Sequence, residues 1–264
     1  MSTGTAIAPA GRNMLSVVGV VATRDVLRQL GRPGNLVAQG MQMLFFLLVY
    51  SIGFNQMIDS VDGLAFRAYV FPGIVAIHIV SMGINAGMTF AWDRMFGLMR
   101  EMLIAPVPRW TVVAGKIVGT AVVAVCHSVV LIALAPIVGV AVTPSSCLAA
   151  VAVCAVGAAV FCSFGLLLAS STRRIETLQN VVQLALYPML FLSGSVFRPD
   201  QLPHWLEALV RLNPMTYVVD LLRHAFLAPV EAPFPAVASV WVNLLFIGLF
   251  CAVGMIGSCW RVGR

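Results

Sequence analysis

Six long apolar segments constrain what this chain can fold into. A helix rises 1.5 Å per residue, so crossing a hydrocarbon layer about 30 Å thick takes about 20 mostly apolar residues. The segments that reach this length are residues 36–55, 69–91, 117–140, 147–170, 178–196 and 236–260. The sequence therefore predicts an all-α integral membrane protein with six transmembrane helices.

The composition excludes a water-soluble globule. Of the 264 residues, 60% are hydrophobic and 10% are charged, and the mean hydropathy is +0.97. Soluble domains carry about a quarter charged residues, so this chain has too little polar surface to face water on all sides.

The positions of the basic residues predict the orientation. Twelve of the 16 Lys and Arg residues lie before the first segment, in the second and fourth connections, or in the tail. Because cytoplasmic loops are enriched in Lys and Arg, both termini and residues 93–116 are expected in the cytoplasm. The net charge of +6 thus belongs to the inner membrane surface, and a nucleic-acid partner is not expected.

The N-terminal region has two parts. Residues 1–13 are small and polar and are predicted to form a disordered tail. Residues 14–34 carry apolar side chains at spacings of three and four, which predicts an amphipathic helix lying in the membrane interface. Residues 35–264 would then form the six-span domain.

The connection at residues 93–116 is rich in charge. Met and Leu residues give its first half an apolar side, and Pro106 is expected to end a short helix there. One interpretation is a solvated loop, and the other is a helix that docks on a partner at the membrane face. Gly97, which would allow another backbone to approach, favours the docking helix.

The connection at residues 197–235 is too polar to span the membrane and too apolar for a free loop. It predicts two short amphipathic helices joined at Asn213-Pro214. Such a pair would dip into the membrane and return, which is tolerated where the polar backbone is buried against protein.

Enzymatic and metal sites are not expected. The four His residues lack ligand spacing, and the six Cys residues form no C-x-x-C pair. Gly115-Lys116 does not belong to a phosphate loop, since Trp110 stands where the motif needs Gly and Ile117 where it needs Ser or Thr. Any dependence on ATP would therefore come from a partner.

Polar residues inside the spans allow two interpretations. They mark a substrate path, or they bond to neighbouring helices. The weak candidates for a path are His78, Asn85, Gln183 and Tyr187. The G-x-x-x-G spacings Gly83–Gly87 and Gly115–Gly119 predict close helix packing.

Two motifs resemble those of a known family. The run REMLIAPVPR at residues 100–109, with Gly97 before it and Gly115-Lys116 after it, resembles the cytoplasmic signature of ABC-2 type permeases. FLSGSVFRP at 191–199, LPHWL at 202–206, LNPMTY at 212–217 and Arg223 resemble the second signature of that family. The chain is most similar in kind to the daunorubicin-resistance-type drug and lipid export permeases, which are membrane subunits of ATP-driven ABC exporters.

The resemblance assigns roles to regions and residues. Residues 14–34 would be the connecting helix, residues 93–116 would carry the coupling helix, and residues 197–235 would carry the extracellular gate. The implied ATPase-coupling residues are Asp93, Arg94, Gly97, Arg100, Glu101, Pro106, Arg109 and Lys116. The implied gate residues are Ser193, Gly194, Pro199, Leu202, Pro203, Trp205, Asn213, Pro214 and Arg223.

The resemblance also implies partners and a location. Two ATPase subunits, which bind ATP and Mg²⁺, would work with two permease chains in a bacterial cytoplasmic membrane, and the permease itself would hold no cofactor. The expected substrate is a hydrophobic or amphipathic drug- or lipid-like molecule. The alternatives are export of a lipid-linked glycan or surface polymer, and a membrane scaffold that transports nothing.

Overall fold

The computed structural model describes residues 14–31, 33–49, 53, 60–61, 64–97, 108–140, 142–172, 174–195, 203–227 and 236–262. The tail predicted to be disordered, residues 1–13, lies outside this part. The described helices are α1 (Met14–Leu30), α2 (Pro33–Leu48), α3 (Phe66–Met95), α4 (Arg109–Leu134), α5 (Pro144–Ser171), α6 (Ile175–Phe191), α7 (His204–Leu212), α8 (Pro214–Leu227) and α9 (Val240–Val262). A 3-10 turn, Ala135–Val138, extends α4.

Four of the described helices are long and apolar enough to cross a membrane. They are α3, α4, α5 and α9. Helices α2 and α6 stand where two further spans are predicted, but their 16 and 17 residues extend only about 24 and 26 Å. The helical membrane class is thus supported, and the count of six spans stays a prediction. Two short antiparallel strands, β1 (Ser60–Val61) and β2 (Leu64–Ala65), pair in a connection where the sequence predicts none.

Helices α3 and α5 form the most extensive contact of the described structure. Their backbones approach closely because glycines face each other at the crossing. A Cβ atom on Gly87 would lie 2.2 Å from the carbonyl oxygen of Gly165, and one on Gly83 would lie 2.7 Å from the Cβ of Phe161. The packing role predicted for the Gly83–Gly87 spacing is confirmed.

Local sequence signals fix the start of α5. Thr143 accepts a hydrogen bond from the Ser146 backbone N–H (3.2 Å), and Ser146 accepts one from the Thr143 N–H (2.9 Å). Pro144 occupies the first helical position, where its missing N–H costs nothing. This reciprocal cap satisfies two donors that would otherwise be unpaired at the helix end.

Helix α1 packs along α4 rather than standing apart. A Cβ atom on Gly115 would meet the Cβ of Val21 at 2.6 Å, so the second G-x-x-x-G spacing also marks a close helix contact. The buried residues of α1 are Val21, Ala22 and Asp25, whereas Leu15 of the predicted apolar stripe is 81% exposed. The face of α1 that meets α4 therefore includes a carboxylate.

Helix α9 presents an apolar stripe outward. The exposed side chains that form this stripe are Trp241, Leu245, Leu249, Val253, Ile256 and Trp260. The two Trp residues stand about 28 Å apart along the helix, close to the hydrocarbon thickness. Trp is enriched at both membrane interfaces, so this face matches a lipid-facing span.

Candidate functional site

Five charged side chains meet where α1, α3 and α4 come together. Lys116 Nζ lies 3.0 Å from Asp93 Oδ2 and 3.0 Å from Asp25 Oδ2. Arg28 donates to Asp93 Oδ1, and Arg24 Nη2 lies 3.5 Å from Asp93 Oδ2. The Lys116 and both Asp side chains are at most 5% exposed. We call this group the Asp93 cluster.

The Asp93 cluster ties the two ends of the predicted coupling segment together. Asp93 lies two residues before the end of α3, and Lys116 lies in the second turn of α4. Their ion pair therefore joins the chain just before and just after residues 96–108. Burying each charge costs several kcal/mol, which only close pairing offsets, so separating the helices would leave costly unpaired charges.

A second polar group surrounds α8, of which 13 of 14 residues are buried. Asp220 accepts hydrogen bonds from the backbone N–H groups of Val237 (3.1 Å) and Ala238 (3.3 Å), and from Asn243 Nδ2 (2.8 Å). These donors lie just before α9 or in its first turn. A carboxylate at this position complements the positive N-terminal end of the helix dipole.

Arg223, one turn further along α8, is bound on the other side. Its Nη2 donates to the carbonyl oxygens of Gly194 (2.6 Å) and Ser195 (3.4 Å), in the turn after α6. Its guanidinium stands 4.1 Å from the ring centroid of Tyr69 at the start of α3. We call Asp220, Arg223, Asn243, Tyr69 and the turn 193–195 the Asp220 cluster.

The two clusters lie at opposite ends of α3. Tyr69 belongs to the Asp220 cluster and Asp93 to the Asp93 cluster, and the helix between them spans about 36 Å. That length exceeds the hydrocarbon thickness of about 30 Å. The separation of the two clusters therefore matches one cluster at each end of a membrane span, and α3 connects them as a continuous helix.

Comparison with known proteins decides the family. The model of the ABC-2 type transporter family matches residues 16–227. The chain belongs to the ABC-2 type transporter family. It is 23% identical to the inner membrane transport permease YadH of Escherichia coli (strain K12) over 239 residues, 86% of each chain. It is 30% identical to nodulation protein J of Sinorhizobium fredii (strain NBRC 101917 / NGR234) over 198 residues, 74% of this chain and 73% of that protein.

The coupling residues predicted for this ABC-2 family member fall into three groups. Asp93 and Lys116 are buried inside helices, although the sequence assigned them to a connection. Arg94 is exposed and donates to the Thr172 carbonyl at the end of α5. Arg100, Glu101 and Pro106 lie outside the described residues, as does the side chain of Arg109, whose backbone begins α4.

Gly97 follows the end of α3 in a backbone conformation that favours glycine. No atom of the described structure lies within 4 Å of a Cβ built on Gly97, and the approach of another backbone to it stays a prediction. Its φ of +79° lies in the left-handed region. In this conformation its backbone N–H donates to the Arg94 carbonyl oxygen at 3.3 Å. Glycine ends helices in this conformation because it has no Cβ.

Most of the predicted gate residues of the permease family signature surround α7 and α8. Helix α7 ends at Leu212 and α8 begins at Pro214, as the Asn213-Pro214 step predicts. The Asn213 side chain donates to the Met189 carbonyl (2.8 Å) and accepts from the Met215 N–H (3.0 Å). Ser193 and Gly194 lie in the turn whose carbonyl groups bind Arg223. Pro203 precedes α7, and Trp205 on that helix is 68% exposed. Pro199 and Leu202 lie outside the described residues.

The candidate path residues lie on α3 and α6, and their role in a substrate path stays a prediction. His78 Nε2 lies 3.3 Å from Nδ1 of His127, which joins α3 to α4. Asn85 is exposed and donates to the Ser81 carbonyl one turn back (2.8 Å). Gln183 and Tyr187 share the exposed side of α6. Within the described ranges no hydrogen bond links any two of the four predicted residues.

Sequence reasoning missed several residues of the two clusters. Asp25 lies three residues after Ala22, and residues at this spacing share one face of a helix. The helical spacing alone therefore puts the Asp25 carboxylate on the packed face of α1. Arg223 was predicted as a gate residue, whereas Asp220, which interrupts the same apolar pattern, was not, and that interruption was the available signal for its buried charge. Arg24, Arg28 and Asn243 had no local signal, because their partners are more than 20 residues away along the chain.

Proposed function

We propose that this chain is the membrane-spanning permease subunit of an ATP-driven exporter in a bacterial cytoplasmic membrane. It would move a hydrophobic or amphipathic drug- or lipid-like molecule outward, using energy from a separate ATPase subunit. Membership of the ABC-2 family, the transport permeases among its relatives and the four apolar helices support this proposal.

The Asp93 cluster is the observation that carries the proposal. An ATPase that pushes on residues 96–108 displaces the membrane helices only if the ends of that segment are held firmly. The Lys116 contacts with Asp93 and Asp25, at 3.0 Å each, hold α3, α4 and α1 together at this point. A push on the segment would therefore move three helices as one body.

The proposed assembly contains two permease chains and two ATPase subunits, with ATP and Mg²⁺ bound by the ATPases. Helices α2 and α6 pack less extensively than α3 and α5. Large apolar side chains on both are exposed: Val37, Met41, Phe45, Leu48, Leu184, Tyr187 and Phe191. We propose that these faces meet the second permease chain or the substrate, and that both termini are cytoplasmic.

The exposed side of α6 supports the proposed substrate class. There, Gln183 and Tyr187 interrupt an otherwise apolar surface that includes Leu184 and Phe191. Such a surface favours a molecule with a large apolar part and a few polar groups, because apolar burial supplies affinity and polar groups supply orientation.

Charge reversal in the cytoplasmic signature tests the coupling. We expect Arg100→Glu combined with Glu101→Arg to abolish co-purification of the co-expressed ATPase and to remove substrate-stimulated ATP hydrolysis. The matched control is Glu207→Arg combined with Arg211→Glu, which reverses an exposed ion pair of 2.7 Å on α7. Retained ATPase binding and unchanged stimulation in the signature variant would contradict the coupling role.

Vesicle transport tests the substrate class. In proteoliposomes with the ATPase, we expect a fluorescent phospholipid or a fluorescent amphipathic dye to be moved in an ATP-dependent manner. Movement of a lipid-linked glycan alone would replace the proposed substrate by a polymer. No ATP-dependent movement of any of the three probes would favour the non-transporting scaffold.

A further inference from the structure

The Asp220 cluster contains buried charged side chains, which are not needed merely to fill the core. Asp220 and Arg223 are 0% and 1% exposed, yet both carry formal charges. No ion pair joins these two side chains among the described residues, because each is engaged with a different neighbour. Retaining two buried charges costs stability, so their bonds to other elements are the feature to explain.

Each charge binds a different part of the chain. Asp220 holds the start of α9 through two backbone N–H groups and the Asn243 amide. Arg223 holds the turn after α6 through two carbonyl oxygens, and it lies on the Tyr69 ring of α3. One turn of α8 thus fixes the ends of α3, α6 and α9 relative to one another.

The turn that Arg223 binds is itself packed against α3. A Cβ atom on Gly73 would lie 2.6 Å from the carbonyl oxygen of Ser195. The turn therefore cannot move toward α3, and Arg223 opposes movement away from α8. Widening this end of the molecule requires the loss of bonds to Asp220, to Arg223, or to both.

We propose that Asp220 and Arg223 are positioning residues that hold this end of the permease closed, with Asn243 as the partner of Asp220 on α9. The inference rests on the proposed function in one respect: the opening of this end of the permease would be a step of the transport cycle. A charge-assisted hydrogen bond stabilises a structure enough to change a two-state ratio about tenfold or more. Removing one charge should therefore shift the chain measurably toward an open form.

Distances between spin labels test this proposal. Labels are placed on Phe191→Cys at the end of α6 and Trp241→Cys at the start of α9, both highly exposed, in a chain whose six native Cys residues are replaced. In lipid nanodiscs without ATPase, the parent should give one short distance. Asp220→Asn and Arg223→Gln should each raise the ratio of the longer to the shorter distance about tenfold or more.

Two variants separate this role from general damage. Asp220→Asn combined with Asn243→Asp returns a carboxylate to the same contact and should restore much of the short distance. Glu207→Gln, which removes a partly exposed charge from neighbouring α7, should leave the distances unchanged. Should Asp220→Asn fail to fold, Asn243→Ala removes one of the donors to Asp220 without removing a charge and should give a smaller shift in the same direction.

Unchanged distances in Asp220→Asn and Arg223→Gln would overturn the proposal, and so would an equal shift in Glu207→Gln. These measurements need neither ATPase nor substrate, so their failure is distinct from failure of the proposed function. ATP added to the assembled complex should move the parent toward the longer distance. If ATP caused no such shift in the parent while the variants stayed shifted, the result would count against ATP-driven export and leave the positioning role in place.

Discussion

Asp93→Asn is expected to lower the free energy of unfolding by roughly 3 kcal/mol and to uncouple ATP hydrolysis from substrate. The buried Lys116 would lose one of its two carboxylate partners, and removal of one partner from a buried pair costs about 3–5 kcal/mol. The lower end applies here because Asp25 remains. Arg28, which is 30% exposed, can turn to water, and no cost is assigned to it.

Thermal unfolding of the purified chain in detergent measures the stability term. Substrate-stimulated ATP hydrolysis by the assembled complex measures the coupling. For the stability measurement alone, the matched control is Arg94→Gln, since Arg94 is the next residue, is exposed, and donates a hydrogen bond to the carbonyl oxygen of Thr172. It should change unfolding by less than about 1 kcal/mol. An Asp93→Asn variant that unfolds with the parent would show that the cluster does not hold the helices.

Among the described glycines, Gly87→Ala is expected to be the most damaging replacement by alanine. The new Cβ would stand 2.2 Å from the Gly165 carbonyl oxygen, and this neighbour is backbone that cannot rotate away. Overpacking typically costs about 1–3 kcal/mol, and backbone contact on both sides places this site at the upper end or beyond. Helices α3 and α5 would separate, and both clusters would lose their common support.

The yield of monodisperse protein and its melting temperature test the Gly87 prediction. Gly248→Ala is the control, because no atom lies within 4 Å of a Cβ on that residue of α9. Gly157→Ala should fall between the two, since its nearest neighbour is a Val218 methyl group at 3.2 Å. Equal melting of all three variants would mean that α3 and α5 cross further apart than described.

Local sequence patterns determined the class of the molecule and the positions of its motifs. Apolar length predicted the helices that the structure has as α3, α4, α5 and α9, and the Asn213-Pro214 step predicted the break between α7 and α8. The two signatures predicted the ABC-2 family, which the match over residues 16–227 confirms. These features depend on neighbours within a few turns, so the sequence carries them directly.

Tertiary structure alone decided which charges are buried and with what. Asp93 and Lys116 flank a polar segment and resemble solvated helix ends, yet α1 covers them and supplies Asp25, which pairs with Lys116 although the two are 91 residues apart (116 − 25) along the chain. Likewise, the sequence shows Asp220 only as an interruption of an apolar helix, and it binds the backbone N–H groups just before α9 only because α8 packs there. The charged residues can be read from a local stretch of sequence, but the surfaces that bury them come from residues distant along the chain. The sequence by itself therefore determined the family, and only the packing determined the two charged clusters.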